Sequence, residues 1–119
     1  MFQEYTEIPI QKSGWIEVVT GSMFSGKTEE LIRRIKRAQI AKLKVQIFKP
    51  TIDNRYSEDE IVTHSKSAIK CHTVNDSEEL YRLALDFQVI GVDEAQFFDI
   101  GIIETCNKLA NNGTRVIVA

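Results

Sequence analysis

The chain has 119 residues, of which 43% are hydrophobic and 27% are charged, and its formal net charge is −2. This composition is ordinary for one globular domain with a single core and does not favour a disordered chain. The slight acidic excess gives no general attraction to nucleic acid or to an anionic membrane. No apolar stretch approaches the roughly 18 residues that cross a bilayer, and the first residues lack the layout of a signal peptide. The sequence therefore predicts a cytoplasmic protein.

The N-terminal residues 1–14 are polar and unpatterned, which predicts a tail, and Pro9 disfavours a helix there. The run Trp15–Val19 is apolar and β-branched. It predicts the first strand of a core that spans residues 15–119.

The segment after this strand matches G-x-x-x-x-G-K-[ST], a loop that holds nucleotide phosphates. Its members are Gly21, Ser22, Met23, Phe24, Ser25, Gly26, Lys27 and Thr28. The glycines let successive N–H groups converge on phosphate oxygens, the lysine adds charge for the β- and γ-phosphates, and the threonine hydroxyl suits Mg²⁺. The alternative is a chance match in a Gly-Ser loop. The strand before the motif favours the phosphate loop, and so do apolar residues at helical spacing after it. These are Leu31, Ile32, Ile35 and Ala38.

The middle of the chain alternates between strand and loop patterns. Val45–Phe48 predicts a second strand, and Ala68–Thr73 predicts a short one. Between them, the polar segment Thr51–Lys66 has little to pack and predicts a long loop that is either functional or disordered.

The last third predicts two helices and two strands. Asp76 is a candidate N-cap with Glu79 three positions on, which opens a helix. The apolar run Phe87–Val92 predicts a central parallel strand, and Ile102–Ala110 predicts an amphipathic helix. The chain ends on Thr114–Ala119, which predicts a buried strand and suggests a chain that is cut short. Alternating strands and helices predict an α/β fold with a mostly parallel sheet flanked by helices.

Two acids, Asp93 and Glu94, follow the predicted central strand directly. Because parallel strands deliver their following residues to one edge of the sheet, these acids should lie near the phosphate loop. Asp93 can hold Mg²⁺, and Glu94 can act on the group that attacks the γ-phosphorus, either water or a hydroxyl. The alternative is that both acids only bind solvent at the end of the strand.

Other polar residues are less informative on their own. Arg55 suits phosphate and lies beside Asp53, and His64 could position a polar group, although each is also ordinary in a solvated loop. Cys71 and Cys106 form no C-x-x-C pair and predict neither a disulfide framework nor a zinc site.

Three blocks, GSMFSGKT, DNRYS followed by Thr63-His64, and VIGVDEAQFF, occur in this order. Together they resemble the thymidine kinases of the cellular, tetrameric type found in bacteria, animals and poxviruses, and the resemblance covers Trp15 to Ala119. It implies a P-loop NTPase core that transfers the γ-phosphoryl of ATP to the 5′-hydroxyl of thymidine with Mg²⁺. It also implies thymidine and ATP as partners, and a homotetramer.

The same resemblance implies roles for the polar residues. Glu94 would be the base for the 5′-hydroxyl, and Asp93 with Thr28 would serve Mg²⁺. Lys27 and the loop amides would hold the phosphates, while Arg55 beside Asp53 would stabilise the transferring phosphoryl.

Residues around the thymine are implied in the same way. Met23 and Phe97 would line the thymine pocket, although both could simply pack the core. Gln96 matches a family position next to the active centre.

Family members continue past this sequence with another strand and a zinc-bound segment, held by four cysteines, that closes over the thymine. Zinc is therefore expected in the full-length family member and not in these 119 residues. The expectation is weak binding of ATP–Mg and little kinase activity. Two rival interpretations are a nucleic-acid-dependent P-loop ATPase, since DEAQ resembles a helicase acidic box, and an inactive nucleotide-binding fragment.

Overall fold

The structure is a computed structural model that describes residues 14–21, 26–51, 60–62 and 68–119. Within these ranges the strands are β1 (Trp15–Val18), β2 (Val45–Pro50), β3 (Glu60–Val62), β4 (Ala68–Val74), β5 (Val89–Val92) and β6 (Arg115–Val118). The helices are α1 (Lys27–Ile40), α2 (Ser77–Ala84) and α3 (Ile102–Asn111), and a 3₁₀ turn spans Ala95–Phe97. No helix among the described residues is both long and apolar enough to span a bilayer.

The sheet has the strand order β1-β6-β5-β2-β4-β3. All neighbouring pairs are parallel except β3 and β4, which run antiparallel. The predicted α/β fold with a mostly parallel sheet is confirmed. The order also places β6 between β1 and β5, so that the strand before the phosphate loop and the strand before the two acids do not pair directly.

The helices cover both faces of the sheet. On one face α1 buries the four residues that were predicted from helical spacing, and they pack on strand residues that include Ile47 and Val89. On the other face α2 and α3 pack on Phe48 and Ile90, the next residues along the same strands. Successive residues of a strand point to opposite faces, so each central strand is buried on both sides.

Glycine allows α1 to approach β5 closely. A Cβ built on Gly91 would lie 2.8 Å from Cδ1 of Leu31 and 3.3 Å from Cγ1 of Ile47. Leu31 is fully buried, so its side chain has little room to move away. The absence of a side chain at Gly91 therefore sets the separation between the helix that follows the phosphate loop and the strand that ends in the two acids.

The predicted cap of α2 is confirmed. The Asp76 carboxylate accepts a hydrogen bond from the backbone N–H of Glu79 at 2.9 Å, and the Glu79 carboxylate accepts one from the N–H of Asn75 at 2.7 Å. The first bond satisfies an N–H group that the start of a helix leaves without an intrahelical partner, and the second fixes the chain just before the cap. Cys106 is buried in α3, as a small core residue would be, and the chain leaves α3 through Gly113 at φ 101°.

Two details differ from the sequence expectation. Glu60–Val62, which fell within the predicted long loop, forms β3 and pairs with β4. Ile61 and Val62 are β-branched, which favours an extended backbone once β4 offers an edge. In addition, β5 begins at Val89, because the N–H of Phe87 bonds to the carbonyl of Ala84 and so belongs to the turn that ends α2. Residues 1–13 of the predicted tail lie outside the described residues.

Candidate active site

The site is built where β1, β6 and β5 end side by side. Val18 is in register with Val118, and Val118 is in register with Val92. The backbone continues this alignment, since the N–H of Val19 bonds to the carbonyl of Val118 at 2.7 Å and the N–H of Ala119 bonds to the carbonyl of Val92 at 2.9 Å. The residues that follow β1 and β5 therefore emerge at one edge of the sheet, as predicted.

The two ends of the phosphate loop have the backbone that its glycines allow. Gly21 has φ 153°, and Gly26 has φ 84° with ψ 22°, in the left-handed region where a side chain is strained. Gly26 is the N-cap of α1, and its carbonyl accepts the N–H of Glu30 at 3.0 Å. The helix thus begins at Lys27, and its N-terminal N–H groups and dipole face the loop.

A side-chain hydrogen bond joins the loop helix to the acidic strand. The Oγ1 hydroxyl of Thr28 donates to Oδ1 of Asp93 at 3.4 Å, although the two residues lie 65 positions apart in the chain. Lys27, at the first position of α1, is therefore on the same side of the molecule as Asp93. The sequence predicted that the two acids lie near the phosphate loop, and the contact between Thr28 and Asp93 confirms this.

Asp93 is nearly buried, with 6% of its surface exposed. Burial raises the pKa of its carboxyl, the neighbouring charge of Glu94 raises it further, and the bond from Thr28 opposes the shift. The backbone N–H of Asp93 is fixed by the carbonyl of Phe48 at 2.9 Å. A buried carboxylate next to a hydroxyl at a helix N-terminus is a pair of hard oxygen donors.

This pair fits Mg²⁺. Mg²⁺ in nucleotide sites takes one or two protein oxygens and completes its octahedron with phosphates and water. It therefore does not require a cluster of three or more acidic, histidine or cysteine side chains, and the described residues contain no such cluster.

Glu94 differs from Asp93 in backbone and in exposure. It is partly exposed and has φ 55° and ψ 43°, a left-handed conformation that costs a non-glycine residue about 1 kcal/mol. Two hydrogen bonds fix this turn, from the N–H of Ala95 to the carbonyl of Ala119 at 3.2 Å and from the N–H of Phe97 to the carbonyl of Glu94 at 3.0 Å. Backbone strain of this kind is a feature of functional sites.

The next two candidate residues lie on the 3₁₀ turn. Nε2 of Gln96 donates to Oε1 of Glu94 at 3.2 Å, which holds the two side chains together. Phe97 is 55% exposed and so does not fill the core. The turn therefore presents an acid, an amide and an aromatic ring close to the edge of the sheet where α1 begins.

Two residues near the site were missed by the sequence reasoning. Lys49, at the end of β2, is close enough to Asp93 for its charge to lower the pKa of that carboxyl. Its position, a cation at the carboxyl end of a parallel strand, was a usable signal. Burial raises the pKa of the nearby Cys71 thiol to about 12; the charge of Asp93 raises this pKa further, and the charge of Lys49 lowers it.

The other missed residue is Asp99. Its carboxylate accepts hydrogen bonds from the N–H and the Oγ hydroxyl of Ser77, at 2.9 and 2.7 Å, and from the N–H of Gly101 at 3.2 Å. These bonds join the chain after the 3₁₀ turn to the start of α2 and lower the pKa of Asp99. Residues 93–99, called the acidic segment below, are thus anchored at both ends. No local pattern in the sequence pairs Asp99 with Ser77.

Several predicted site residues lie outside the described residues, and the predictions for them stay as they were made. They are Ser22, Met23, Phe24, Ser25, Asp53, Arg55 and His64.

The fold and the contact between Thr28 and Asp93 define a phosphate-loop α/β protein. A family model described as thymidine kinase matches residues 14–119. The chain is 56% identical over 106 residues to a thymidine kinase of Rhodothermus sp. (strain ITI 518), covering 89% of this chain and 50% of that one. It is 54% identical over 109 residues to a thymidine kinase of Bacteroides fragilis (strain YCH46), covering 92% and 55%. This chain belongs to the thymidine kinase family and spans about half the length of the curated relatives that it matches.

Proposed function

We propose that the protein to which this chain belongs transfers the γ-phosphoryl group of ATP to the 5′-hydroxyl of thymidine, which gives thymidine monophosphate. Family membership supports this reaction. The observation that carries the proposal is the hydrogen bond between Thr28 and Asp93. It joins the helix that follows the phosphate loop to the acids that follow β5, and phosphoryl transfer needs both at one place.

The phosphate loop binds the nucleotide in this proposal. Lys27 and the backbone N–H groups at the start of α1 hold the β- and γ-phosphates, with the dipole of α1 adding to the attraction. Thr28 and Asp93 hold Mg²⁺, which when bound neutralises charge on the phosphates. This chain's own contribution is to place the hydroxyl and the carboxylate on one side of the polyphosphate.

The acidic segment serves the other substrate. Glu94 accepts the proton of the 5′-hydroxyl while the hydroxyl oxygen attacks the γ-phosphorus, the bond from that phosphorus to the β,γ-bridging oxygen breaks, and ADP leaves. Gln96 orients the Glu94 carboxylate through their hydrogen bond. Phe97 offers its exposed aromatic face to the thymine. Met23 is proposed to line the same pocket. Arg55, beside Asp53, stabilises the charge on the phosphoryl group in transfer.

The 119-residue chain itself is proposed to bind ATP–Mg and to have little kinase activity. It spans about half of its relatives, and catalysis depends on closing a site around both substrates. A structural zinc and a tetramer remain proposals for a full-length member of the family, and the cytoplasmic location stays a prediction.

Binding of a fluorescent ATP analogue to the chain, with and without Mg²⁺, tests the nucleotide site. We expect binding that strengthens with Mg²⁺ and is lost in Lys27→Ala, while Asp93→Asn removes the Mg²⁺ dependence. Lys36→Ala, a change of the same charge on the same helix, is the control and should bind normally. Equal affinity in Lys27→Ala and wild type would contradict the proposal. A thymidine phosphorylation assay with the longer protein then tests Glu94→Gln, for which we expect a fall in kcat of at least about a hundredfold.

A further inference from the structure

Glu17 on β1 is the centre of a network of charged side chains that the reaction does not use. Oε2 of Glu17 accepts a hydrogen bond from Nε of Arg115 at 2.6 Å, and Oε1 accepts one from Nη2 of the same guanidinium at 3.0 Å. Oε1 also accepts from Nη1 of Arg34 at 2.9 Å, and Oε2 accepts from Nε1 of Trp15 at 2.6 Å. One carboxylate therefore joins β1, β6 and α1.

The ion pairs of this network should stabilise the fold more than an ordinary surface ion pair does, because their side chains are partly buried. The side chain of Glu17 is 19% exposed, and that of Arg115 is 27% exposed. The contact with Arg115 is bidentate, the geometry in which a guanidinium binds a carboxylate best. The hydrogen bonds from Arg115, more than any other cause, lower the pKa of Glu17 to about 2, so the carboxylate is ionised at neutral pH.

The network spans the two flanks of the phosphate loop. β1 leads into the loop, and Arg34 lies about two turns into the helix that leaves it. Among the described residues, β1 is an edge strand that pairs with β6 alone, and α1 packs mainly on β5 and β2. The bond from Arg34 to Glu17 is thus a direct polar tie between the entry strand and the exit helix.

We propose that Glu17 is a positioning residue for the phosphate loop, which it holds in its nucleotide-binding geometry by fixing β1 against α1 through Arg34 and against β6 through Arg115. This inference rests on the proposed nucleotide site. Its consequence is that loss of the Glu17 charge weakens nucleotide binding at a distance, without removing any group that touches the phosphates.

The sign of the effect separates this idea from simple electrostatics. Removing an acidic residue near a polyphosphate site lowers repulsion, so by charge alone Glu17→Gln would strengthen binding of the anionic nucleotide. Loss of the tie predicts the opposite, a decrease in affinity on the order of fivefold. The measurement is the dissociation constant of a fluorescent ADP analogue with Mg²⁺, at low ionic strength, alongside a urea denaturation of each variant.

Glu30 supplies a matched control. It pairs with Arg34 at 2.7 Å and with Arg33 at 2.8 Å on the same helix, but it does not reach β1. Glu30→Gln removes the same charge, and we expect nucleotide affinity that is unchanged or slightly higher. Arg34→Gln should weaken binding by no more than Glu17→Gln does, because it breaks only the contact with α1, and the double variant should be no weaker than Glu17→Gln alone.

The outcomes are distinguishable. If Lys27→Ala still binds the analogue, the proposed nucleotide site fails. If Lys27→Ala loses binding while Glu17→Gln binds like the wild type or more tightly, the site stands and the positioning role of Glu17 is overturned, even if Glu17→Gln unfolds at lower urea. If the effects of Glu17→Gln and Arg34→Gln on affinity add fully, the two residues act separately. The proposal that Glu17 acts through its contact with Arg34 is then overturned as well.

Discussion

The two strands that deliver the site differ in how they are held. β5, which ends in Asp93, lies in the middle of the sheet and is buried at every position, with helices on both faces. β1, which leads to the phosphate loop, lies at the edge of the sheet that the described residues form, and its Trp15 and Val18 are 54% and 62% exposed. The carboxylate of the site is therefore fixed by the core, whereas β1 is held by its pairing with β6 and by the polar contacts of Glu17 with Arg34 and Arg115.

The largest expected effect compares one isoleucine on each strand. Ile90 on β5 is fully buried, and Ile16 on β1 is 36% exposed. We expect Ile90→Ala to lower the free energy of unfolding by about 3 kcal/mol, through lost burial and the cavity left behind. Ile16→Ala should cost about 1 kcal/mol. Urea denaturation of both variants measures the difference, and equal losses would show that the comparison between the strands is wrong.

A smaller effect is expected at the contact between α1 and β5. Gly91→Ala places a methyl group 2.8 Å from Cδ1 of the buried Leu31, so α1 must shift outward. Overpacking of this kind costs about 1 to 2 kcal/mol. Since Leu31 lies one turn after Thr28, the shift should also lengthen the contact between Thr28 and Asp93 and weaken Mg²⁺-dependent nucleotide binding. Denaturation and nucleotide titration check both results, and a loss of stability with normal binding would contradict the second.

The far end of the acidic segment predicts a weaker, pH-dependent effect. The pKa of Asp99 is lowered from its ordinary 3.8, chiefly by the hydrogen bond from the Ser77 side chain. A carboxyl with a lowered pKa in the folded state stabilises it fully above the unfolded pKa, and this contribution is lost as the pH falls below that value. Asp99→Ala should therefore melt below the wild type at pH 7, with the gap closing as the pH falls below about 4. Thermal melts at several pH values measure this, and a gap that stays constant down to pH 3 would contradict it.

The smallest effect on stability is expected at Phe97. Its ring is 55% exposed, so Phe97→Ala should change the free energy of unfolding by no more than about 0.5 kcal/mol. In a full-length member of the family the corresponding change should weaken thymidine binding, since the exposed face of the ring is proposed to meet the base. A stability loss of 3 kcal/mol or more, as found for a core phenylalanine, would favour the alternative that the ring packs the interior.

Much of the fold followed from local sequence patterns. The spacing of Leu31, Ile32 and Ile35 predicted the buried face of α1, and Asp76 with Glu79 predicted the cap of α2, because both depend on residues within one or two turns. The meeting of Thr28 with Asp93 was also predictable, since the rule for the edge of a parallel sheet needs no knowledge of strand order.

Long-range pairing was not predictable in the same way. Nothing near Glu17 indicates that its partner is Arg115, 98 positions away, or that β1 lies at the edge of the sheet that the described residues form. The bond between Ser77 and Asp99 joins two segments whose separation depends on how α2 and α3 pack. Such contacts depend on register and packing across the whole sheet, which one sequence does not determine by local rules.

The position of β6 has a consequence for how the protein is made. β6 separates β1 from β5 in the sheet, yet it is the last of the described strands to leave the ribosome. Until Arg115–Val118 inserts, the loop strand has no partner among the described strands, and the nascent chain carries an incomplete sheet. Translation therefore delivers β1 well before its described pairing partner, and the pairing of β1 with β6 joins segments about 100 residues apart, a contact of the kind that forms late in folding.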